Sequence, residues 1–195
     1  VSIDVLFICT GNICRSPLAE RLAIARSRAP TDLVRFTSVG THAFEGLSMD
    51  AASAMALRQL GGRADGHQAR LLTGPVLEES DLILTATTEH RDFALRKRPA
   101  SFRRVFTMKE FVRLGHGLTP ATGPDDVLRV IAEVASQRGL VTPGGPLGDD
   151  IADPFGARQS EVRRCAEEIS VAVDGTLELL GISRTGAGER GVSNL

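Results

Sequence analysis

Residues 3–17 constrain this chain more than any other stretch. Ile3 to Ile8 is apolar apart from Asp4, without the polar–apolar alternation of a half-exposed strand. Such a run suits a strand buried on both faces, as in a parallel sheet covered by helices on either side. It leads into a short loop, Cys9 to Arg15. Ser16 then offers an N-cap and Pro17 suits the first helical position. The helix is predicted to reach about Arg28, with Leu18, Leu22 and Ala25 on one face, and Pro30 ends it.

The alternation continues downstream. Val34 to Val39 reads as a second strand closed by Gly40, and Asp50 to Leu60 as an Ala-rich helix stopped by Gly61-Gly62. Leu82 to Ala86 is a third strand, Glu89 to Arg96 a helix, and Arg104 to Thr107 a fourth strand. A last helix spans Ser160 to about Leu180, burying Val162, Cys165, Ile169, Val173, Leu177 and Leu180. The order predicts a single-domain, three-layer α/β/α fold on a four-stranded parallel sheet, over residues 1–182. Residues 114–150 differ in kind, being rich in Gly and Pro around one amphipathic pattern with Val127, Ile131 and Val134 on its stripe. They read as an inserted arm with one helix. Residues 183–195 read as a mobile polar tail.

Composition excludes several roles. With 195 residues the chain suits one domain better than two. A formal net charge of −1 argues against a dedicated nucleic-acid binder and against a polybasic membrane binder. No apolar run approaches the ~20 residues of a spanning helix, and residues 1–15 lack the features of a signal peptide. Three cysteines, Cys9, Cys14 and Cys165, make no disulfide framework, so a reducing cytoplasm is expected. With no Tyr and no Trp, a tyrosine general acid and a broad stacking surface are excluded.

The loop Cys9-Thr10-Gly11-Asn12-Ile13-Cys14-Arg15-Ser16-Pro17 carries the chemistry. Ligands of open α/β sheets bind beyond the carboxyl ends of the strands, and a helix N-terminus suits an anion. A loop of this length can curl until its amides point at one centre, with Gly11 and Asn12 tolerating the left-handed backbone such a curl needs. Arg15 would add a two-pronged guanidinium fork. Cys9 at the bottom of such a cradle would be a thiolate, because a helix end and a cation both favour that form. The Ser16 hydroxyl would donate to its sulfur. The plainer alternative makes Cys9 a buried small residue and Arg15 a surface cation. No GxxxxGK[ST] is present, so a nucleotide-triphosphate loop is not supported.

Cys9 to Pro17, with Leu18-Ala19-Glu20, closely resembles the signature of the low-molecular-weight protein tyrosine phosphatases. Further matches follow in the family's order: Ser38 to Thr41, His67 to Arg70, Ser80 to Leu84, and Asp153-Pro154-Phe155-Gly156. The resemblance spans about residues 3–113 and 149–181, and points to an actinobacterial-type member with an insertion before the Asp-Pro loop. It implies a phosphatase I-like fold and hydrolysis of phosphomonoesters through a cysteinyl-phosphate, without cofactor or metal. Catalytic residues would be Cys9, Arg15 and Asp153, the last as general acid and then base on a stiff Asp-Pro turn. Thr10, Gly11, Asn12, Ile13, Cys14, Arg15 and Ser16 would surround the phosphate. Asn12, Ser16 and Ser38 would hold the loop in shape, and Ile13, Phe44 and Phe155 would line the substrate pocket. His67 matches a structural histidine, whereas His42, His90 and His116 read as surface or turn residues. Asp149 and Asp150 read as solvated loop charges.

Partners implied by the resemblance are a phosphorylated protein or a small aryl phosphate. Its tyrosine phosphatases carry a branched apolar residue where Ile13 stands, whereas its protein-arginine phosphatases carry Thr. Against that, Asp153 to Gly156 and Val105 to Glu110 look like the arginine-phosphatase branch. Arsenate reductases of the same fold need two further cysteines near the third strand, and residues 81–107 contain none. Some members form a reversible disulfide between the two loop cysteines, here Cys9 and Cys14. A non-catalytic phosphate-binding module would keep Arg15 and the amides but has no need of Cys9 or Asp153.

Overall fold

The computed structural model describes residues 2–142, 144–145 and 148–183; the C-terminal tail from 184 lies outside the described residues. Four strands form one parallel sheet: β1 (Ile3–Cys9), β2 (Val34–Gly40), β3 (Leu82–Thr85) and β4 (Val105–Thr107), in the order β2-β1-β3-β4. The helices are α1 (Arg15–Arg26), α2 (Ala51–Gln59), α3 (Gly74–Glu79), α4 (Thr88–Lys97), α5 (Met108–Gly115), α6 (Val127–Ser136) and α7 (Gln159–Leu179).

The unalternating β1 is explained by its two faces. Val5, Phe7 and Cys9 enter the core that α1, α5 and α7 cover, while Leu6 and Ile8 enter a second core beneath α3 and α4. β3 divides the same way, Leu82 and Leu84 to one side and Ile83 to the other. The result is three layers with β1 at the centre, so the loop after Cys9 emerges between β2 and β3 at the carboxyl edge.

Two boundaries differ from expectation in an informative way. α1 begins at Arg15 with Cys14 as a cap whose side chain makes no capping bond, so Ser16 is not the N-cap and Pro17 is the third helical residue. The Ser16 hydroxyl is turned inward to other partners, described below. The helix also ends at Arg26 rather than Arg28, where Ser27 turns extended. Helices α3 and α5 were not expected. α5 carries a readable signal, a capping box in which Thr107 accepts from the Glu110 amide and Glu110 accepts from the Thr107 amide.

The arm joins the main core. α6 packs on α5 and buries Val127, Val130, Ile131 and Val134. Arg138, just past its end, stacks its guanidinium 4.1 Å from the Phe106 ring centroid and donates to the carbonyls of Phe102 and Val105. Glu110, buried in the first turn of α5, accepts from Arg91 and Arg138. The arm is thereby tied to β4, next to the strand ends.

Candidate active site

Residues 10–14 curl between β1 and α1, and the curl has a one-sided hydrogen-bond pattern. Its carbonyls are tied outward: Cys9 O accepts from Thr41 N, Thr10 O from His42 N and Ile13 O from Asp50 N, each at 2.9 Å. Asn12 O accepts from His67 Nε2 at 2.7 Å. The amides of Gly11, Asn12, Ile13 and Cys14 find no acceptor among the described residues. Those amides, with the uncommitted first-turn amides of α1, leave a run of donors without acceptors, which suits an oxyanion.

Asn12 takes the left-handed conformation, at φ 54°, and Gly11 does not. The sequence expectation for Gly11 is corrected accordingly, because the reversal of the chain falls one residue later. Asn12 also spends its side chain on the fold of the loop. Its Nδ2 donates to Ser16 Oγ at 2.9 Å and Ser38 Oγ at 2.8 Å, and its Oδ1 accepts from Arg70 N at 2.8 Å. Ser38 in turn donates to Glu20.

Gly40, at the end of β2, lies against this curl. A Cβ there would sit 2.4 Å from Thr10 O and 2.8 Å from Asn12 N, both backbone atoms that cannot swing aside. Gly40→Ala is therefore expected to displace the loop and lower kcat/KM on p-nitrophenyl phosphate by ~10²-fold or more, as small misplacements of reacting groups do. Wild-type kinetics in that variant would show that the loop does not need this approach.

Cys9 is buried, and its sulfur lies 3.0 Å from Ser16 Oγ. Asn12 Nδ2 donates into that hydroxyl, so its single proton goes to the Cys9 sulfur or to Val39 O at 3.2 Å. A thiolate is the stronger acceptor. Cys14 and Cys165 are buried as well. Burial pushes each thiol up to about 12, so both are protonated. All three cysteines are free.

Arg15 is buried at the start of α1 and reaches across to the segment before α7. Nη1 donates to Ile151 O at 3.1 Å, and Nη2 to Asp153 Oδ2 at 2.8 Å and Thr10 Oγ1 at 3.3 Å. Its Nε is buried without an acceptor from the protein among the described residues. A buried N–H of that kind costs roughly 1–3 kcal/mol unless an acceptor reaches it. Asp153 is half exposed, at 51% of its side chain, and its Oδ1 accepts from Phe155 N at 3.2 Å. Ala157 N donates to Pro154 O across a turn in which Gly156 has φ 70°, a position where a second aromatic would be strained.

Asp149 and Asp150 are structural ties rather than solvated charges. Asp149 pairs with Arg113 at 2.6 Å, and its carbonyl accepts from Thr107 Oγ1 at 2.8 Å. Asp150 Oδ1 accepts from Thr88 N, at the first turn of α4, at 2.7 Å. These bonds clamp the chain three and four residues ahead of Asp153, next to Ile151, whose carbonyl meets Arg15.

Two histidines flank the loop, and His90 is not the surface residue expected from sequence. His67 is buried and held below its ordinary value chiefly by burial, so its Nε2 carries the proton donated to Asn12 O. His90 is buried, and burial followed by the Arg15 charge pushes it down to about 4. A histidine harder to protonate in the fold than in the unfolded chain stabilises the fold above its ordinary 6.5. That contribution disappears as pH falls toward about 4. Denaturant titrations at pH 7 and pH 5 are expected to show wild type losing about 1–2 kcal/mol more than His90→Gln. Equal losses would contradict the shift. His42 bonds Thr41 Oγ1 through Nδ1 and tilts its ring against Phe93.

Phe44 and Phe155 are exposed, at 79% and 66%, and neither belongs to the core. Ile13 is half-buried on the loop. The structure thus bonds Cys9, Asn12, Ser16 and Ser38 into one network on the loop, and Arg15 with Asp153 and Thr10 into a second. It adds Gly40, Arg70, His90 and the Ile151 carbonyl, which sequence reasoning did not single out as functional. No local sequence signal marks His90: it stands beside the loop after β1 because β3 pairs with β1, which the tertiary structure decides.

A buried cysteine at the head of a loop of uncommitted amides, followed by an arginine paired with a carboxylate, on an α/β sheet, is the set of parts that cysteine-dependent phosphoryl transfer uses. Residues 4–119 match the family described as low molecular weight phosphotyrosine protein phosphatase, and the chain belongs to that family. A protein-arginine-phosphatase of Geobacillus stearothermophilus is 28% identical over 90% of this chain and 95% of its own. The low molecular weight protein-tyrosine-phosphatase Etp of Escherichia coli K12 is 41% identical over 45% of this chain and 56% of its own. Among solved structures, the YwlE arginine phosphatase from G. stearothermophilus superposes with a TM-score of 0.69 at 28% identity, covering 91% of this chain and 92% of that one. A low molecular weight protein tyrosine phosphatase from T. tengcongensis gives 0.68 at 29% identity, covering 91% and 99%.

Proposed function

We propose that this enzyme hydrolyses phosphomonoesters of protein tyrosine, or of similar aryl alcohols, through a phosphocysteine at Cys9. The observation that carries this is the one-sided loop, four uncommitted amides on the curl that follows a sulfur 3.0 Å from the Ser16 hydroxyl. Phosphate oxygens would take those amides and the Arg15 Nε and Nη2 donors. The Cys9 thiolate attacks phosphorus as the phosphorus–oxygen bond to the leaving group breaks. Asp153 gives its proton to the departing oxygen. As a carboxylate it then takes a proton from the water that attacks phosphorus, and the sulfur–phosphorus bond breaks to return the thiolate. Phosphate binding draws Arg15 Nη2 from Asp153 and releases that carboxyl toward the leaving group. Phe44 and Phe155, exposed on either loop, supply faces for an aromatic ring.

A second reading, phosphoarginine, is favoured by the likeness to arginine phosphatases over nine-tenths of the chain. Ile13 favours the aryl ester, because its side chain offers no hydroxyl to a guanidino-phosphate. Rates on matched phosphotyrosine and phosphoarginine peptides decide between the two. Wild type is expected to prefer phosphotyrosine and Ile13→Thr to move the ratio toward phosphoarginine. A wild type that prefers phosphoarginine overturns the assignment of substrate. We also read residues 114–150 as an actinobacterial-type insertion within one catalytic domain over 1–182, and place the enzyme in a reducing cytoplasm, which its three free thiols suit.

A further inference from the structure

We propose that His90 is a positioning residue for Arg15, acting through the Thr10 hydroxyl; the inference rests on the phosphate-binding reading of the loop. His90 stands in the first turn of α4, beside the loop because β3 and β1 are paired. Its Nε2 lies 2.9 Å from Thr10 Oγ1, and that oxygen accepts from Arg15 Nη2 at 3.3 Å. The other ring nitrogen, Nδ1, lies 2.6 Å from Thr87 Oγ1, which also accepts from the His90 amide. The imidazole is therefore bonded at both ends and buried, at 6% exposure, so it cannot tilt without breaking one bond.

The relay matters because of what phosphate does to Arg15. In the structure the guanidinium is held at Ile151 O, Asp153 and Thr10. Asp153 must leave Nη2 to protonate the departing group. Ile151 O then holds Nη1, and Thr10 is the remaining protein hold on Nη2. A planar fork binds a tetrahedral anion well only when its plane is set. A neutral ring offers one donor and one acceptor, which suits two hydroxyl partners. The charged and titratable groups facing it are Arg15 from α1, Asp150 and Asp153 from the segment before α7, and His42 from the loop after β2. Arg15 opposes a second positive charge there, and the low protonation tendency of the ring follows from burial and from that cation.

The test compares wild type, His90→Ala, His90→Gln, Thr10→Val and the double variant His90→Ala/Thr10→Val. Affinity for inorganic phosphate is read by calorimetry, and kcat and KM on p-nitrophenyl phosphate are read separately. His90→Ala is expected to weaken phosphate and raise KM about tenfold, the worth of one hydrogen bond to a charged group. His90→Gln, which keeps a donor and an acceptor, recovers most of that loss. The double variant binds phosphate no worse than Thr10→Val, because both changes cut the same chain. Phosphate affinity within twofold of wild type in His90→Ala overturns the proposal, as does a double variant whose loss is the product of the two single losses. If His90→Ala does not fold, the Gln variant and Thr10→Val decide. A weakened Thr10→Val with near-normal His90→Gln supports the relay, and an unaffected Thr10→Val ends it. Wild type that binds phosphate without turning over any ester sinks the phosphatase reading alone, since the affinity series still judges His90. Wild type that binds no phosphate sinks both.

Discussion

Serine at position 9 is expected to lower p-nitrophenyl phosphate turnover by ~10⁴-fold or more while leaving inorganic phosphate bound. The reason lies in the neighbours of the sulfur. A thiol is intrinsically far more acidic than an alcohol and can act as the nucleophile without a neighbouring base. A serine hydroxyl in the same place ionises far less readily and would need one. Among the described residues the partner of Cys9 Sγ is the Ser16 hydroxyl, not a histidine. His67 is committed to Asn12 O, and His90 to Thr10 and Thr87. Neither ring is placed to take a proton from position 9. The amides and Arg15 remain, so calorimetry with phosphate should give near wild-type affinity. Turnover within tenfold of wild type in Cys9→Ser would exclude a covalent phosphocysteine.

Asp153→Asn is expected to be the next most damaging change, by ~10²–10³-fold on phenyl phosphate. Asparagine has one acceptor oxygen, which can keep the bond from Phe155 N, so the turn should survive while the proton and the acceptor for Arg15 Nη2 are lost. The deficit should shrink on p-nitrophenyl phosphate, whose phenolate departs without help. It should grow with the basicity of the leaving group. Hydrolysis of the phosphocysteine should slow as well, since the same carboxylate draws a proton from water. Mass spectrometry of the quenched variant is then expected to find a phosphorylated peptide containing Cys9. A deficit independent of the leaving group would assign Asp153 to orienting Arg15 rather than to proton transfer.

Much of this was legible in residues 3–17, because local chemistry governs there. An unalternating apolar strand, a glycine–asparagine turn and a helix start are all short-range signals. Cys9, Arg15 and Ser16 could be assigned their places from them. The clustering of Asn12 with Ser38 was expected from the family likeness, and the 2.8 Å bond supplies its geometry. Other readings failed for identifiable reasons. Ser16 is not the cap, although serine before proline usually is one, because its hydroxyl is turned to Asn12 and Val39 as well as to the sulfur. The capping box of α5 was written in Thr107 and Glu110 and went unread. Asp149 and Asp150 looked like free charges since their partners, Arg113 and Thr88, lie 36 and 62 residues away.

The backbone plan of the loop, its nucleophile and its cation are properties of contiguous residues, whose torsional preferences and spacing are set by covalent chemistry. The closeness of Gly40 to the curl, the clamp that brings Ile151 and Asp153 over Arg15, and the burial of His90 against Thr10 are properties of packing. They depend on which strand lies next to which, and on where a helix 80 residues downstream sets its first turn. Strand order is selected by the sum of many weak burial terms across the whole sheet, so no short stretch of sequence contains it.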